Sequence, residues 1–138
     1  MVSASNKNID HYTKEGIIKT DRLNVRSFKV YADGALGSRG AAMKQPYSDQ
    51  KNHFGALVTP LEDLRMIAKK IAASDYQMNT HAIGDSANYV MLTTYKDVLK
   101  GETNRRWRQL RSPGSPGALA TSSTAQIEWI AKRSGGAL

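Results

Sequence analysis

Two side chains that could take part in chemistry stand in two separate apolar segments. Lys29 lies in Val25-Arg26-Ser27-Phe28-Lys29-Val30-Tyr31-Ala32, and His81 lies in Tyr76-Gln77-Met78-Asn79-Thr80-His81-Ala82-Ile83. An imidazole is the commonest metal ligand and titrates near neutral pH. A lysine that points into a protein interior is costly unless it is paired or modified. Each residue also fits an ordinary role. His81 is compatible with a structural histidine, and Lys29 with a lysine that pairs with Asp33 or lies exposed on an edge strand.

A glycine-rich loop follows the first of these segments, with the sequence Asp33-Gly34-Ala35-Leu36-Gly37-Ser38-Arg39-Gly40. The backbone N–H groups of such a loop can bind a phosphate. It is not a Walker loop, because no Gly-Lys-Ser/Thr ends it, and its glycine spacing does not match the dinucleotide-binding fingerprint. By itself the loop therefore predicts no particular ligand.

The elements that must position these residues alternate between strand and helix. Residues 25–32 and 76–83 are typical of strands. Residues 60–73 and about 86–99 carry apolar stripes at helical spacing. This alternation predicts an α/β fold with a parallel sheet. In such folds functional residues collect at the C-terminal ends of the strands, close to where Lys29 and His81 stand.

Strand alternation indicates where the two side chains point. Lys29 lies on the face opposite to Phe28 and Val30, and His81 lies opposite to Met78. If the Met78 side meets the helices, both Lys29 and His81 point away from them.

The predicted helices carry recognisable start signals. Thr59 stands three residues before Glu62, which is the capping-box spacing, and is therefore the predicted N-cap of the first helix. Asp85 is the predicted N-cap of the second.

Composition excludes several classes of protein. The chain has 138 residues, no cysteine and a formal net charge of +8. Disulfide frameworks and cysteine metal sites are therefore excluded. No apolar run approaches the roughly 20 residues of a membrane helix, and the first residues contain no apolar signal segment. We expect a cytoplasmic protein without membrane partners.

The positive charge raises the possibility of nucleic-acid binding, which its distribution does not favour. The only dense basic cluster is Arg105, Arg106 and Arg108 around Trp107, and it is not accompanied by a known nucleic-acid motif. The alternative interpretation, a solvated segment that leads toward a strand, is preferred. We therefore expect no nucleic-acid partner.

The C-terminal part differs in composition from the rest of the chain. Residues 109–125 contain 13 Ser, Pro, Gly, Ala or Thr among 17, a composition typical of a linker. We therefore expect no third strand after Arg108, and residues 127–133 are compatible with one or two helical turns. The predicted organisation is a polar segment 1–24, a structured part 25–108 and a low-complexity tail 109–138.

Taken together, several motifs resemble the YtcJ-like branch of the amidohydrolase superfamily (amidohydrolase family 3). The resemblance covers about residues 14–108. It rests on four segments: Phe28-Lys29-Val30-Tyr31-Ala32-Asp33-Gly34-Ala35-Leu36-Gly37-Ser38-Arg39-Gly40-Ala41, Pro46-Tyr47-Ser48-Asp49, His81-Ala82-Ile83-Gly84-Asp85, and Arg105-Arg106-Trp107-Arg108.

This resemblance implies a metal-dependent hydrolase that cleaves carbon–nitrogen bonds other than ordinary peptides, with a small-molecule substrate and a divalent metal, expected to be zinc. It also implies a partial (β/α)8 TIM barrel. Lys29 then matches the lysine of barrel strand 4, which can react with carbon dioxide and bridge two metals as a carbamate, and His81 matches the ligand of strand 5. The loop that borders the substrate would contribute Asp33, Gly34, Ser38 and Arg39.

The departures from the family pattern are equally informative. A complete barrel needs about 250 residues, and neither a His-x-His pair nor a Glu-His pair after Arg108 is present. A shift of the reading frame after Arg108 is one hypothesis for that break. With at most two metal ligands, we expect weak or no metal binding, an inactive isolated chain, and self-association. The alternative is a non-catalytic barrel remnant that acts as an oligomerising or interaction module.

Overall fold

A five-stranded sheet with helices packed on one face organises the chain. The computed structural model describes residues 1–99 in full and, beyond them, the backbone of residues 106–110 and 126–130. In chain order the elements are β1 Val2–Ser3, α1 Asn6–Glu15, β2 Ile18–Lys19, β3 Asn24–Val25, β4 Ser27–Tyr31, α2 Leu61–Ala72, β5 Gln77–His81, α3 Asp85–Val98, β6 Arg106–Leu110 and β7 Gln126–Ile130.

The strand order in the sheet is β1-β4-β5-β6-β7, and β2 and β3 form a separate antiparallel pair. The pairs β1–β4, β4–β5 and β5–β6 are parallel, whereas β7 runs antiparallel to β6. The predicted α/β class with a parallel sheet is therefore confirmed. In the β4–β5 register, Lys29 stands beside Asn79 and Tyr31 beside His81.

The core lies between this sheet and the helices. Phe28 and Met78 are fully buried in one apolar cluster with residues of α1, α2 and α3, as strand alternation predicts. In α2 the predicted apolar stripe is buried at Leu64, Ala68 and Ile71. Burial of this stripe stabilises the helix more than its intrinsic propensity does.

Residues 1–24, which carry little sequence signal, contribute a helix with clear ends. The Ser5 hydroxyl accepts a hydrogen bond from the backbone N–H of Asn8, an ordinary N-cap. The helix ends at Gly16, whose φ of 80° suits a residue without a side chain. Ile9 joins the core, so α1 packs against the rest of the molecule.

Two predicted helix caps are wrong. Pro60, not Thr59, occupies the N-cap position of α2, and the Thr59 hydroxyl donates instead to the carbonyl of Tyr31 at 2.6 Å. Gly84 occupies the N-cap position of α3, and the Asp85 carboxylate accepts from the backbone N–H of Lys44 at 2.8 Å. In both cases a distant backbone group competes successfully with the local cap.

The predictions for the C-terminal part are also corrected. A third strand, β6, does follow and pairs in parallel with β5, and residues 126–130 form strand β7 rather than a helical turn. Backbone pairing to a preformed sheet edge provides hydrogen bonds that composition alone does not reveal. The linker predicted between these strands and the Arg105–Arg108 side chains lie outside the described residues.

None of the helices in the described part of the chain has the length and apolar character needed to cross a membrane.

Candidate functional site

Lys29 lies on the sheet face opposite to the helices of the described residues, as the alternation of β4 predicts. Its side chain is half-buried, and Nζ lies 4.5 Å from the centre of the Tyr31 ring. That distance is within the range of a cation–π contact. Partial burial lowers the pKa of the Lys29 ammonium below its ordinary value, because burial disfavours the charged form. A larger share of neutral amine is therefore present at a given pH.

His81 ends β5 on the same face. It is half-buried, and its ring centre lies 5.5 Å from that of Tyr31, with the ring planes 44° apart. The structure thus brings Lys29 and His81 together around one aromatic ring, although they are 52 positions apart in the chain. Lys29, Tyr31, Asn79 and His81 together are called the open face below.

Asn79 adds an unusual group to the open face. Its side chain is buried, its Nδ2 donates only to the sulfur of Met1 at 3.4 Å, and its Oδ1 has no hydrogen-bond partner within the described residues. A buried oxygen without a donor costs roughly 1–3 kcal/mol. A buried polar group without a partner among the described residues calls for an explanation, and this one lies beside Lys29 in the β4–β5 register.

Asp33 connects the two loops that follow β4 and β5. Its side chain is only 1% exposed. Oδ1 accepts the backbone N–H of Ile83 at 2.9 Å, and Oδ2 accepts those of Ala42 and Gly84 at 2.9 and 2.8 Å. The carboxylate therefore joins the loop after β4 to the loop after β5. Its hydrogen bonds go to backbone groups, so Asp33 orders the predicted substrate loop from within.

The other predicted substrate-loop residues also bond within their own loop. Gly34 donates its N–H to the carbonyl of Gly40 at 3.0 Å, and the Ser38 hydroxyl donates to the carbonyl of Ala35 at 3.1 Å. The Arg39 guanidinium binds Asp49, and its Nε lies 3.0 Å from Oδ2. Their role toward a substrate stays a prediction.

A metal centre is not complete in the described part of the chain. No group of three or more His, Asp or Glu side chains there is arranged to hold an ion. Catalytic zinc normally takes three protein ligands and a water. Lys29 and His81 share a face but are too few, so the donor set present does not fit a whole catalytic metal site.

A sequence model described as "Amidohydrolase family" matches residues 2–137. The chain belongs to this family. The match extends beyond residues 14–108, on which the resemblance of the motifs rests. It includes both Lys29 and His81.

Relatives agree with this membership. The chain is 33% identical over 113 residues to "Protein LONG AFTER FAR-RED 3" of Arabidopsis thaliana, which covers 78% of this chain and 19% of that protein. It is 39% identical over 61 residues to "Putative amidohydrolase YtcJ" of Bacillus subtilis, which covers 44% of this chain and 12% of that protein.

Solved structures support the same family. Uncharacterized metal-dependent hydrolases from Pyrococcus horikoshii and Pyrococcus furiosus match with TM-scores of 0.61 and 0.62 at 32% and 26% identity. They cover 66% and 67% of this chain, and the chain covers 19% and 20% of theirs. This amidohydrolase chain thus spans at most about a fifth of the length of the proteins it matches.

Two residues of the open face, Tyr31 and Asn79, were not predicted from the sequence as site residues. Tyr31 stands within the first family motif, where it is an ordinary strand aromatic to which no role is assigned. Asn79 is a polar strand residue outside the quoted motifs. The alternation that singles out Lys29 and His81 also selects these two, each two positions away along its strand. Strand parity applied to every residue of β4 and β5 is therefore the signal that finds them.

Proposed function

We propose that this amidohydrolase-family chain carries the strand-4 and strand-5 part of a metal-dependent hydrolase active site built on a (β/α)8 barrel. The reaction of the whole enzyme would be hydrolysis of a non-peptide carbon–nitrogen bond in a small molecule. The observation that carries the proposal is the meeting of Lys29 and His81 on the open face. The metal-dependent hydrolases among the structural relatives support it.

The position of Lys29 and His81 agrees with a barrel origin of the sheet. In a (β/α)8 barrel the helices cover the outside and the strand side chains that face inward line the interior. Here the helices cover one face of β4 and β5, and both candidate ligands lie on the other. The open face would thus be the part of the barrel interior that this chain contributes.

Lys29 would act as a metal ligand after reaction with carbon dioxide. Its neutral amine nitrogen would form a bond to the carbon of carbon dioxide and lose one proton, which leaves a carbamate with two oxygens. The lowered pKa of Lys29 favours the neutral amine that this addition requires. His81 would offer an imidazole nitrogen to a divalent metal, which we propose to be zinc.

Because only two ligands stand together, we expect the isolated chain to bind zinc weakly and to be inactive. After dialysis, elemental analysis should find well under one zinc per chain. On titration with zinc chloride, the NMR signals of the His81 imidazole should respond before those of the other histidines. The variant H81A should lose this response.

His11 serves as the matched control for this measurement, since it is an exposed histidine on α1, away from the open face. H11A should leave the zinc response of His81 unchanged. A tightly held stoichiometric metal would contradict the expected weak binding. A zinc response spread equally over His11, His53 and His81 would contradict the proposed site itself.

The edge of the sheet favours a second candidate role, as an oligomerising module. Strand β1 pairs with only Phe28 and Lys29 of the five-residue strand β4, and no helix of the described part of the chain covers the open face. Incompletely paired edges tend to add further strands. We therefore propose that the chain self-associates.

Light scattering across a dilution series tests this second role. We expect a mass above that of the 15.2 kDa chain, with a decrease toward it on dilution. A mass that stays at the monomer value at every concentration would contradict self-association. The same sample should show no metal-dependent hydrolysis, and hydrolysis by this chain would contradict the expected inactivity.

A further inference from the structure

The ring of Tyr31 contacts both candidate ligands of the open face. Lys29 Nζ lies 4.5 Å from its centre, and the His81 ring centre lies 5.5 Å away. We infer that Tyr31 is a positioning residue, whose ring holds the Lys29 and His81 side chains in defined conformations on the open face.

The base of the Tyr31 side chain is held by backbone contacts. Tyr31 and His81 are register partners in the parallel β4–β5 pair, and the N–H of the next residue, Ala32, donates to the His81 carbonyl at 2.8 Å. The Tyr31 carbonyl accepts the Thr59 hydroxyl at 2.6 Å. The ring therefore projects from a fixed point of the sheet, next to both partners.

Packing of the core does not account for a tyrosine at this position. Its side chain lies on the face away from the helices, and the residue is 54% exposed. Its hydroxyl makes no hydrogen bond to any other described residue. The ring, rather than the hydroxyl, is the part of Tyr31 that makes the contacts with Lys29 and His81.

Lysine is the side chain that most needs such a contact. It has four rotatable bonds and loses much rotamer freedom when it is held in one place. The cation–π contact with the Tyr31 ring restricts the ammonium before any ligand binds, which lowers that entropic cost. The tilted contact of the same ring with the imidazole keeps the two groups adjacent. For its use in catalysis this inference rests on the proposed function, whereas the contacts themselves do not.

Three variants of the full 138-residue chain test the inference by NMR. The readouts are the χ1 rotamer populations of Lys29 and His81, from three-bond couplings, and the ring-proton shifts of His81. Y31F should preserve both readouts, since it keeps the ring. Y31L should shift the His81 ring protons and distribute the Lys29 rotamers over the staggered wells.

The chain offers a matched control in Tyr89, which is 62% exposed and has Lys44 Nζ 4.9 Å from its ring centre. Y89L should leave Lys29 and His81 unchanged, and amide spectra would show that all variants are folded. Rotamer populations of Lys29 and His81 that stay at the wild-type values in Y31L would overturn the inference. Loss of the defined conformers in Y31F as well would also overturn it, since the hydroxyl would then be the essential part.

A zinc titration of the same variants distinguishes this inference from the proposed function. If substitution of His81 or Lys29 weakens zinc binding while Y31L keeps the wild-type rotamers, only the role of Tyr31 is wrong. If Y31L disturbs the rotamers but zinc binding does not depend on Lys29 or His81, the proposed metal site is wrong and the positioning contact stands.

Discussion

Replacing Asp33 by alanine should lower the free energy of unfolding by at least about 3 kcal/mol. The carboxylate accepts three backbone N–H groups, at distances of 2.8 to 2.9 Å, from Ala42, Ile83 and Gly84. Its side chain is almost completely buried, so water cannot replace it without opening the loops. Hydrogen bonds to a charged acceptor are worth more than neutral ones, and each orphaned buried N–H adds its own cost.

Urea unfolding followed by circular dichroism measures this effect. D33N is the gentler variant, because the amide keeps the size and one acceptor while its NH2 group faces donors. It should also be destabilised, but less than D33A. Hydrogen exchange of the Ile83 and Gly84 amides should accelerate in D33N even where the fold survives.

Asp49 provides the comparison on the same loop. It is exposed and pairs with Arg39 at the surface, and the hydrogen bond from Arg39 lowers the pKa of its carboxyl. Surface ion pairs contribute little to stability. D49N should therefore unfold close to the wild type. Equal losses in D33N and D49N would show that the loop does not depend on the buried carboxylate.

Replacing Gly84 by alanine should also lower the free energy of unfolding strongly, by about 3 kcal/mol. A Cβ at this position would lie 1.9 Å from the carbonyl oxygen of Ala42 and 2.4 Å from its carbon. Both neighbours are backbone atoms, so the loop itself has to move. That movement also disturbs the hydrogen bond from the Gly84 N–H to Asp33. It further disturbs the N-terminus of α3, where the backbone N–H of Ser86 donates to the same Ala42 carbonyl.

Gly37 is the matched control, since a Cβ there would meet nothing within 4 Å and its φ is not positive. G37A should keep or slightly raise stability, by up to about 1 kcal/mol, because alanine restricts the unfolded chain. Thermal unfolding of the pair provides the measurement. G84A with the same midpoint as G37A would be incompatible with the close approach of the two loops.

Much of the fold follows from local patterns. Period-two alternation predicts which side of β4 and β5 is buried, and the positions of Phe28 and Met78 confirm it. The helical stripe of α2 is confirmed in the same way. Strand β6 is missed because the structured part is predicted to stop at Arg108, whereas β6 extends to Leu110. Its pairing depends on β5 being in place, and composition says nothing about that partner.

The helix caps show the limit of local reasoning more sharply. Thr59 and Asp85 are residue types common at N-caps. Instead, the Thr59 hydroxyl donates to the carbonyl of Tyr31, 28 positions away, and the Asp85 carboxylate accepts from the N–H of Lys44, 41 positions away. A side chain with one strong hydrogen-bonding group takes whichever partner the fold brings nearest. Sequence spacing cannot rank a local partner against one that a distant loop supplies.

The candidate site divides along the same line. The sequence by itself determined that Lys29 and His81 each stand opposite to apolar residues of their strands, because strand alternation is a property of the backbone alone. It also placed both residues in motifs that resemble an amidohydrolase family. Only the tertiary structure decided that Tyr31 contacts both and that the Asp33 carboxylate bonds the loops behind them. Those contacts depend on strand register and loop closure over some 50 residues, where the partner is chosen by three-dimensional proximity rather than by spacing.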